Sequence, residues 1–295
     1  MPNLPTAPPN AIESYTRLLE QIVSGQPLSD VLSGVAAVLE QQLPGALASI
    51  LLITEDGKNL RHGAALSLPY AYNQAVDGIP VGEGIGSCGT SAATGKATIA
   101  NDIDQHPYWQ NYRALAKQYG LRACWSQPVF NSEQQVLGTF AIYHSQPKEP
   151  NREELNILDN MAKVAGAAIE QSHLSRRHKL AQTLARHLPV GLIVTDHQHR
   201  IIEANPALCE SVGYLRQQLI GETPEIVCPS LDKRNFERLL LHSQRRGGWH
   251  GELLCRRRNS ESYTAEVRFS QVHNEQDELQ YAVLLLSDVS ESKRS

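Results

Sequence analysis

The chain predicts an α+β protein of two domains, each a central antiparallel sheet flanked by helices, the two joined by a long helix. Three observations carry this. A length of 295 residues suits about two domains of ordinary size. Short β-branched runs separated by turn signals recur in both halves, with no train of alternating strand and long helix that would build a parallel sheet. Between the halves, from Asn151 to Leu188, apolar residues repeat at helical spacing over more than thirty positions.

In the first half, Ile12, Leu18, Leu19 and Ile22, then Leu28, Val31, Leu32, Val35, Val38 and Leu39, mark two helices broken at Gly25 and Pro27. Ala48–Thr54 and Leu60–Leu66 flank Glu55-Asp56-Gly57-Lys58, a hairpin in which Gly57 supplies a positive φ. His106–Tyr119 reads as one helix, and Leu121–Val129 and Val136–His144 as strands joined at Asn131–Gln135. Asn151 opens the long helix with Glu153 and Glu154 in its first turn, where carboxylates favour the helix dipole.

In the second half, Gly191–Thr195 and Ile201–Ala204 are strands around the polar turn Asp196–His199, whose histidines should face water. Asn205 caps a short helix from Pro206, and Asp232–Arg246 is helical. Trp249–Arg258, Ser262–Gln271 and Gln280–Ser287 form a meander, with Arg256–Arg258 read as solvated surface.

Composition narrows the function classes. At 41% hydrophobic, 20% charged and a net charge of −4, the chain has globular composition and no global attraction to nucleic acid or an anionic membrane. No apolar run approaches the roughly 18 residues of a membrane span, and MPNLPTAPPN lacks a basic region leading into an apolar core. The expected location is the cytoplasm. Cys88, Cys124, Cys209, Cys228 and Cys255 lie far apart without a C-x-x-C, so reduced thiols are expected, with neither a disulfide framework nor a metal site.

Gly84-Ile-Gly-Ser-Cys-Gly89 matches G-x-G-x-x-G, the dinucleotide fingerprint. That fingerprint needs a buried strand before the first glycine and a helix of several turns after it. Here Asp77-Gly-Ile-Pro-Val-Gly82 precedes, with Pro80 removing a ladder donor, and only Thr90–Thr94 separate Gly89 from Gly95. A structural glycine loop is the better reading. Cys88 beside a helix start could be an activated thiol, but no Cys/His/Asn spacing supports acyl transfer.

Gly86-Ser-Cys-Gly-Thr-Ser-Ala92, Asp102-Ile103, His106-Pro-Tyr-Trp109, Tyr112-Arg113, Gly120-Leu-Arg-Ala-Cys-Trp-Ser-Gln-Pro128, Val136-Leu-Gly-Thr-Phe-Ala141 and Pro150 together resemble the GAF domains of bacterial multi-domain signal transducers. The resemblance covers Ser29 to Gln171. It implies a six-stranded antiparallel sheet with a small-molecule pocket roofed by the glycine loop. Pocket candidates are Ser87, Cys88, Thr90, Asp102, Trp109, Tyr112, Cys124, Trp125 and Ser126, with Trp109 and Tyr112 sharing a helix face. Strand alternation sends Cys124 and Ser126 to one face and Trp125 and Gln127 to the other; which face carries the pocket stays open. Arg113 and Arg122 suit either an anion or the carboxylates of Asp102 and Asp104.

Leu188-Pro-Val-Gly191, Asn205-Pro-Ala207, Gly213-Tyr214, Leu219-Ile-Gly221, Gly248-Trp-His-Gly-Glu252 and Asp288-Val-Ser-Glu-Ser-Lys293 resemble a PAS domain over Leu184 to Lys293, in which Asn205, Tyr214 and Trp249 are the structural or pocket candidates. The resemblance leaves the cofactor unknown. Glu222-Thr-Pro-Glu225 stands where flavin-reactive relatives carry their cysteine, and Glu237 where haem relatives carry their histidine, with His242 beyond, so neither covalent flavin nor haem is expected.

The expected organisation is a disordered tail over 1–12, a GAF domain over 13–172, a linker helix over 173–187 and a PAS domain over 188–295. The expected function is a cytoplasmic sensor of a small molecule that regulates a partner protein, dimerising in parallel through the linker helix, with no catalytic output module. Two alternatives stand beside it: the sensory fragment of a histidine kinase or a diguanylate cyclase/phosphodiesterase, and a thiol redox enzyme using Cys88 and Cys124.

Overall fold

The computed structural model describes residues 11–274 and 276–290. It divides into two compact units between Arg176 and Arg177. Residues 1–10 of the expected tail lie outside the described residues, and Ala11 and Ile12 already belong to the first helix.

The first unit begins with α1 (Ala11–Val23) and α2 (Leu28–Gln42). A hairpin of β1 (Leu47–Ile53) and β2 (Asn59–Ala64) follows, turning on Gly57 at φ +72°. Then come α3 (Tyr70–Val76), the short β3 (Ile79–Pro80), α4 (Gly86–Thr94), β4 (Thr98–Ala100), a 3₁₀ turn Pro107–Trp109, α5 (Arg113–Gln118), β5 (Ala123–Phe130) and β6 (Val136–His144). The sheet has six strands in the order β3-β2-β1-β6-β5-β4, every pair antiparallel. The helix expected over His106–Tyr119 is therefore two pieces. Pro107 starts the 3₁₀ turn under a His106 cap, and Tyr112 separates it from α5.

Strand alternation gives this sheet two buried faces. Ile50, Trp125, Val129, Phe140 and Ile142 pack against Val31, Leu32, Val35 and Leu39 of α2, and against Leu158, Met161, Ala165 and Ile169 of the long helix α6 (Arg152–His187). Leu51, Cys124, Ala141 and Tyr143 point the other way, beneath Tyr72, Cys88, Ile103, Trp109 and Leu121. Asn151 caps α6 reciprocally. Its Oδ1 accepts from Glu154 N–H at 2.9 Å, while its own N–H donates to Glu154 Oε2 at 2.9 Å.

The second unit contains β7 (Gly191–Thr195), β8 (Ile201–Ala204), α7 (Pro206–Val212), α8 (Arg216–Leu219), a 3₁₀ turn Pro224–Ile226, α9 (Lys233–Arg246), β9 (Trp249–Arg256), β10 (Ser262–His273) and β11 (Leu279–Asp288). Its antiparallel sheet has the order β8-β7-β11-β10-β9. Ile193, Ala265, Val267, Phe269, Ala282 and Leu284 line one face and meet Leu208, Leu219, Val227 and Phe236.

Three expectations are corrected in this unit. Cys228 and Cys255 form a disulfide, where reduced thiols are expected from their spacing. They stand 27 residues apart, a spacing without a motif, and meet because Arg256 N–H bonds the Val227 carbonyl at 2.8 Å, laying β9 against the segment after the 3₁₀ turn. Arg257 is no freely solvated arginine: it donates to the Ser211 carbonyl, pairs with Asp288 at 2.6 Å and lies 4.4 Å over the Tyr263 ring. His199 leans on Phe236, ring centres 4.8 Å apart, instead of facing water.

Candidate functional site

The glycine stretch is a turn followed by a helix start. Gly84 and Gly86 take positive φ of +85° and +53°, which a side chain would strain. Gly89 has no room for one: a Cβ there would lie 2.7 Å from the Pro80 carbonyl oxygen. Thr90 locks the loop, its hydroxyl donating to the Gly86 carbonyl at 2.7 Å and accepting from Gly84 N–H at 3.0 Å. The helix starts at Gly86, so Ser87 and Cys88 occupy its first turn and face the sheet.

Below that turn lies a cavity of about 20 Å³ lined by Leu51, Tyr72, Val76, Ile79, Ile85, Gly86, Ser87, Cys88, Trp109, Tyr112, Leu115 and Tyr143. Four aromatic rings form its wall. Trp109 meets Tyr112 and Tyr143 edge to face with centroids at 6.5 and 6.4 Å, and Tyr72 meets Tyr143 at 5.6 Å. Among the described residues that line it none is charged.

The polar groups of this layer are satisfied by one another. Trp109 Nε1–H donates to Ser87 Oγ at 3.0 Å, and the Ser87 hydroxyl donates to the Cys124 carbonyl at 3.3 Å. Cys88 Sγ lies 3.9 Å from the Tyr143 hydroxyl. Burial raises the Tyr72 and Tyr143 phenols and the Cys124 thiol. Cys88 shifts the other way: hydrogen bonding from Cys124, then from Ser126, Tyr143 and Thr139, outweighs burial.

Of the nine residues expected at this pocket, Ser87, Cys88, Trp109 and Tyr112 line the cavity. Cys124 and Ser126 are buried on the same side of β5, beneath it. Three lie elsewhere. Thr90 braces the glycine loop. Asp102 accepts from Asp104 N–H and Gln105 Nε2, both at 3.1 Å, and pairs with Arg122 at 3.6 Å. Trp125 is on the opposite face, Nε1–H donating to the Lys148 carbonyl at 3.1 Å and its ring 4.6 Å from His144. Arg122 also meets Asp104 at 3.2 Å, and Arg113 donates to the His106 carbonyl. Tyr72 and Tyr143 are additions. Register carried a signal for the second, since Tyr143 stands opposite Cys124 across β5 and β6.

In the second unit Asn205 and Tyr214 border an open groove of about 890 Å³ between the end of α6 and β8–α7. Asn205 uses its whole amide. Oδ1 accepts from Leu208 N–H at 3.0 Å and Leu192 N–H at 2.8 Å, and Nδ2 donates to the Ala185 and Val190 carbonyls at 3.1 and 2.9 Å. Trp249 lies apart from these two, with His242, in a cleft of about 310 Å³ between α9 and β9.

Residues 25–170 match the GAF domain family and residues 189–291 the PAS domain family. The methyl sulfide methyltransferase-associated sensor of Methanosarcina acetivorans is 32% identical over 226 residues, 74% of this chain and 22% of that protein. The nitrogen fixation regulatory proteins of Klebsiella oxytoca and Klebsiella pneumoniae are 30% and 29% identical over 138 residues, 46% of this chain and 27% of each. The chain thus spans about a quarter or less of the length of these relatives. Two antiparallel sheets, one in each compact unit, and two family matches in order along the sequence make this a sensory chain built of a GAF domain followed by a PAS domain.

Proposed function

We propose that the chain is a cytoplasmic sensory module whose GAF cavity receives a small uncharged molecule and which regulates a partner or an output domain, with no catalytic centre of its own. The observation that carries this reading is the uncharged wall of Tyr72, Trp109, Tyr112 and Tyr143 over the Ser87–Cys88 turn. An anion such as nitrate or a nucleotide phosphate would enter without a counter-charge, a costly desolvation, whereas an uncharged molecule packs against ring faces and edges. At about 20 Å³ the cavity suits a molecule of one or two heavy atoms, and anything larger requires α4 or the 3₁₀ turn to move outward. No helix among the described residues is long and apolar enough to cross a membrane.

Native mass spectrometry with an absorption spectrum, on protein purified without denaturation, tests the reading. A retained mass that disappears in Trp109→Leu and persists in Trp249→Leu supports it. A retained mass indifferent to Trp109→Leu, or purified protein without any that binds no member of a panel of small neutral molecules, overturns it. The length of the relatives favours a second reading, in which the same GAF–PAS pair is the sensory part of a longer histidine kinase or cyclic-dinucleotide enzyme.

A further inference from the structure

The polar cluster beneath the cavity has more chemistry than ligand packing requires. Cys88 on α4 and Cys124 on β5 are both buried in one cluster, and the Ser87 hydroxyl beside Cys88 donates to the Cys124 carbonyl at 3.3 Å, which brings the two residues to the same place on the interface between helix and sheet. Cys88 also lines the cavity, while Cys124 lies behind it. Around the pair stand the hydroxyls of Tyr143, Ser126 and Thr139. The last two are fully buried, and neither hydroxyl oxygen has a hydrogen-bond partner. An unpaired buried hydroxyl is costly, so these groups are stabilised when a sulfur anion accepts from them.

We propose that Cys88 and Cys124 form a peroxide-reactive dithiol, in which a small neutral hydroperoxide enters the aromatic cavity, oxidises Cys88 and leaves a Cys88–Cys124 disulfide. The Cys88 thiolate attacks one oxygen of hydrogen peroxide. The O–O bond breaks, the departing hydroxide takes a proton to become water, and Cys88 becomes a sulfenic acid. The Cys124 sulfur then attacks the Cys88 sulfur, the S–OH bond breaks, and a second water leaves with the thiol proton. Two thiols are oxidised by two electrons, and one peroxide is reduced to two waters. An external thiol returns the pair to its starting state.

Geometry assigns the order. Cys88 meets the cavity and carries the lowered thiol, so it is the attacking residue; Cys124, raised by burial, is the resolving one. The uncharged wall admits hydrogen peroxide, whose volume is close to that of water, and disfavours charged oxidants. The cross-link would fasten the first turn of α4 to β5 of the sheet. This inference requires no resident ligand in the cavity, and therefore stands or falls apart from the ligand-binding reading.

The test is peptide mapping under non-reducing conditions on the full chain, treated with hydrogen peroxide at neutral pH. The expected product is a peptide pair joined through Cys88 and Cys124, two mass units lighter than the separate peptides and resolved by dithiothreitol. In Cys124→Ser, dimedone should label Cys88 in at least half of the molecules, with the fold checked by circular dichroism. Ser126→Ala should slow labelling severalfold without changing the site. The proposal is overturned if wild-type protein oxidises only at Cys209 or methionine, or forms no Cys88–Cys124 peptide at millimolar peroxide, or if folded Cys124→Ser leaves Cys88 unlabelled.

Discussion

His144 shows how one side chain can make the fold pH-dependent. It is buried at the end of β6 against Trp125, and its Nε2 has no hydrogen-bond partner. Burial, with the Lys148 charge adding to it, depresses its pKa to about 4. The unfolded chain takes up this proton as pH falls through about 6.5, while the folded chain resists it until about 4. Stability is therefore full above about pH 6.5 and declines as pH falls toward 4, by on the order of 3 kcal/mol. His144→Phe should flatten that acid limb in urea melts run from pH 4 to 7, and an unchanged limb would locate the acid sensitivity elsewhere. Asn205 is the other residue whose environment sets a measurable quantity. Replacing it by Ala removes two acceptor and two donor contacts to buried or half-buried backbone, a loss on the order of 3 kcal/mol. Asn205→Asp keeps the cap on α7 but sets a carboxylate against the Ala185 and Val190 carbonyls, so hydrogen exchange should speed up at the last turn of α6 before it does in α7.

Among the elements, those with a period or a hydrogen-bonding side chain at their ends were readable in advance. β6, β7 and β8 begin and end where alternation and turn residues predict, and Asn205 and Asn151 announce the helices they cap. What was not legible depends on contacts between distant segments. Whether Trp125 or Cys124 faces the cavity is a choice between two faces of one strand, and helices arriving from opposite ends of the chain decide it. The same holds for Cys228 and Cys255, and for Tyr72, which reaches the cavity from α3. The break at Pro107–Tyr112 had a local signal, since proline after a capping histidine favours a fresh start. Gly166 of α6 is a contact of this distant kind. In an exposed helix Gly→Ala stabilises by about 1 kcal/mol, but here an added Cβ would overlap the Phe130 carbonyl oxygen at the end of β5. Overpacking of 1–3 kcal/mol exceeds that gain. Gly166→Ala should accordingly lower the melting temperature by a few degrees, and a rise would mean that α6 shifts freely on the hairpin.

For the whole molecule, α6 is the one element belonging to both compact units, so any influence of cavity occupancy on the PAS domain has this helix as its covalent route. Its apolar residues change character along its length. Leu158, Met161, Ala165 and Ile169 are buried in the GAF core, whereas Leu174, Leu180 and Leu184 are more than half exposed and Leu188 just beyond its end is 37% exposed. Leu174, Ala181 and Leu188 are seven apart and Leu184 falls at the intervening position, the spacing of a two-helix seam. The three seam leucines, partly exposed in the single chain, gain on the order of 1 kcal/mol each on burial, which offsets part of the entropy of association. A parallel homodimer along this seam would give a signal from either GAF domain a shared lever. Light scattering at high micromolar concentration should then give twice the 32.6 kDa chain mass, and Leu174→Glu with Leu184→Glu should return it to 32.6 kDa with the circular dichroism spectrum unchanged. A monomeric mass for the unaltered chain at that concentration would break the argument, because the seam leucines would then be left without a partner of the same kind.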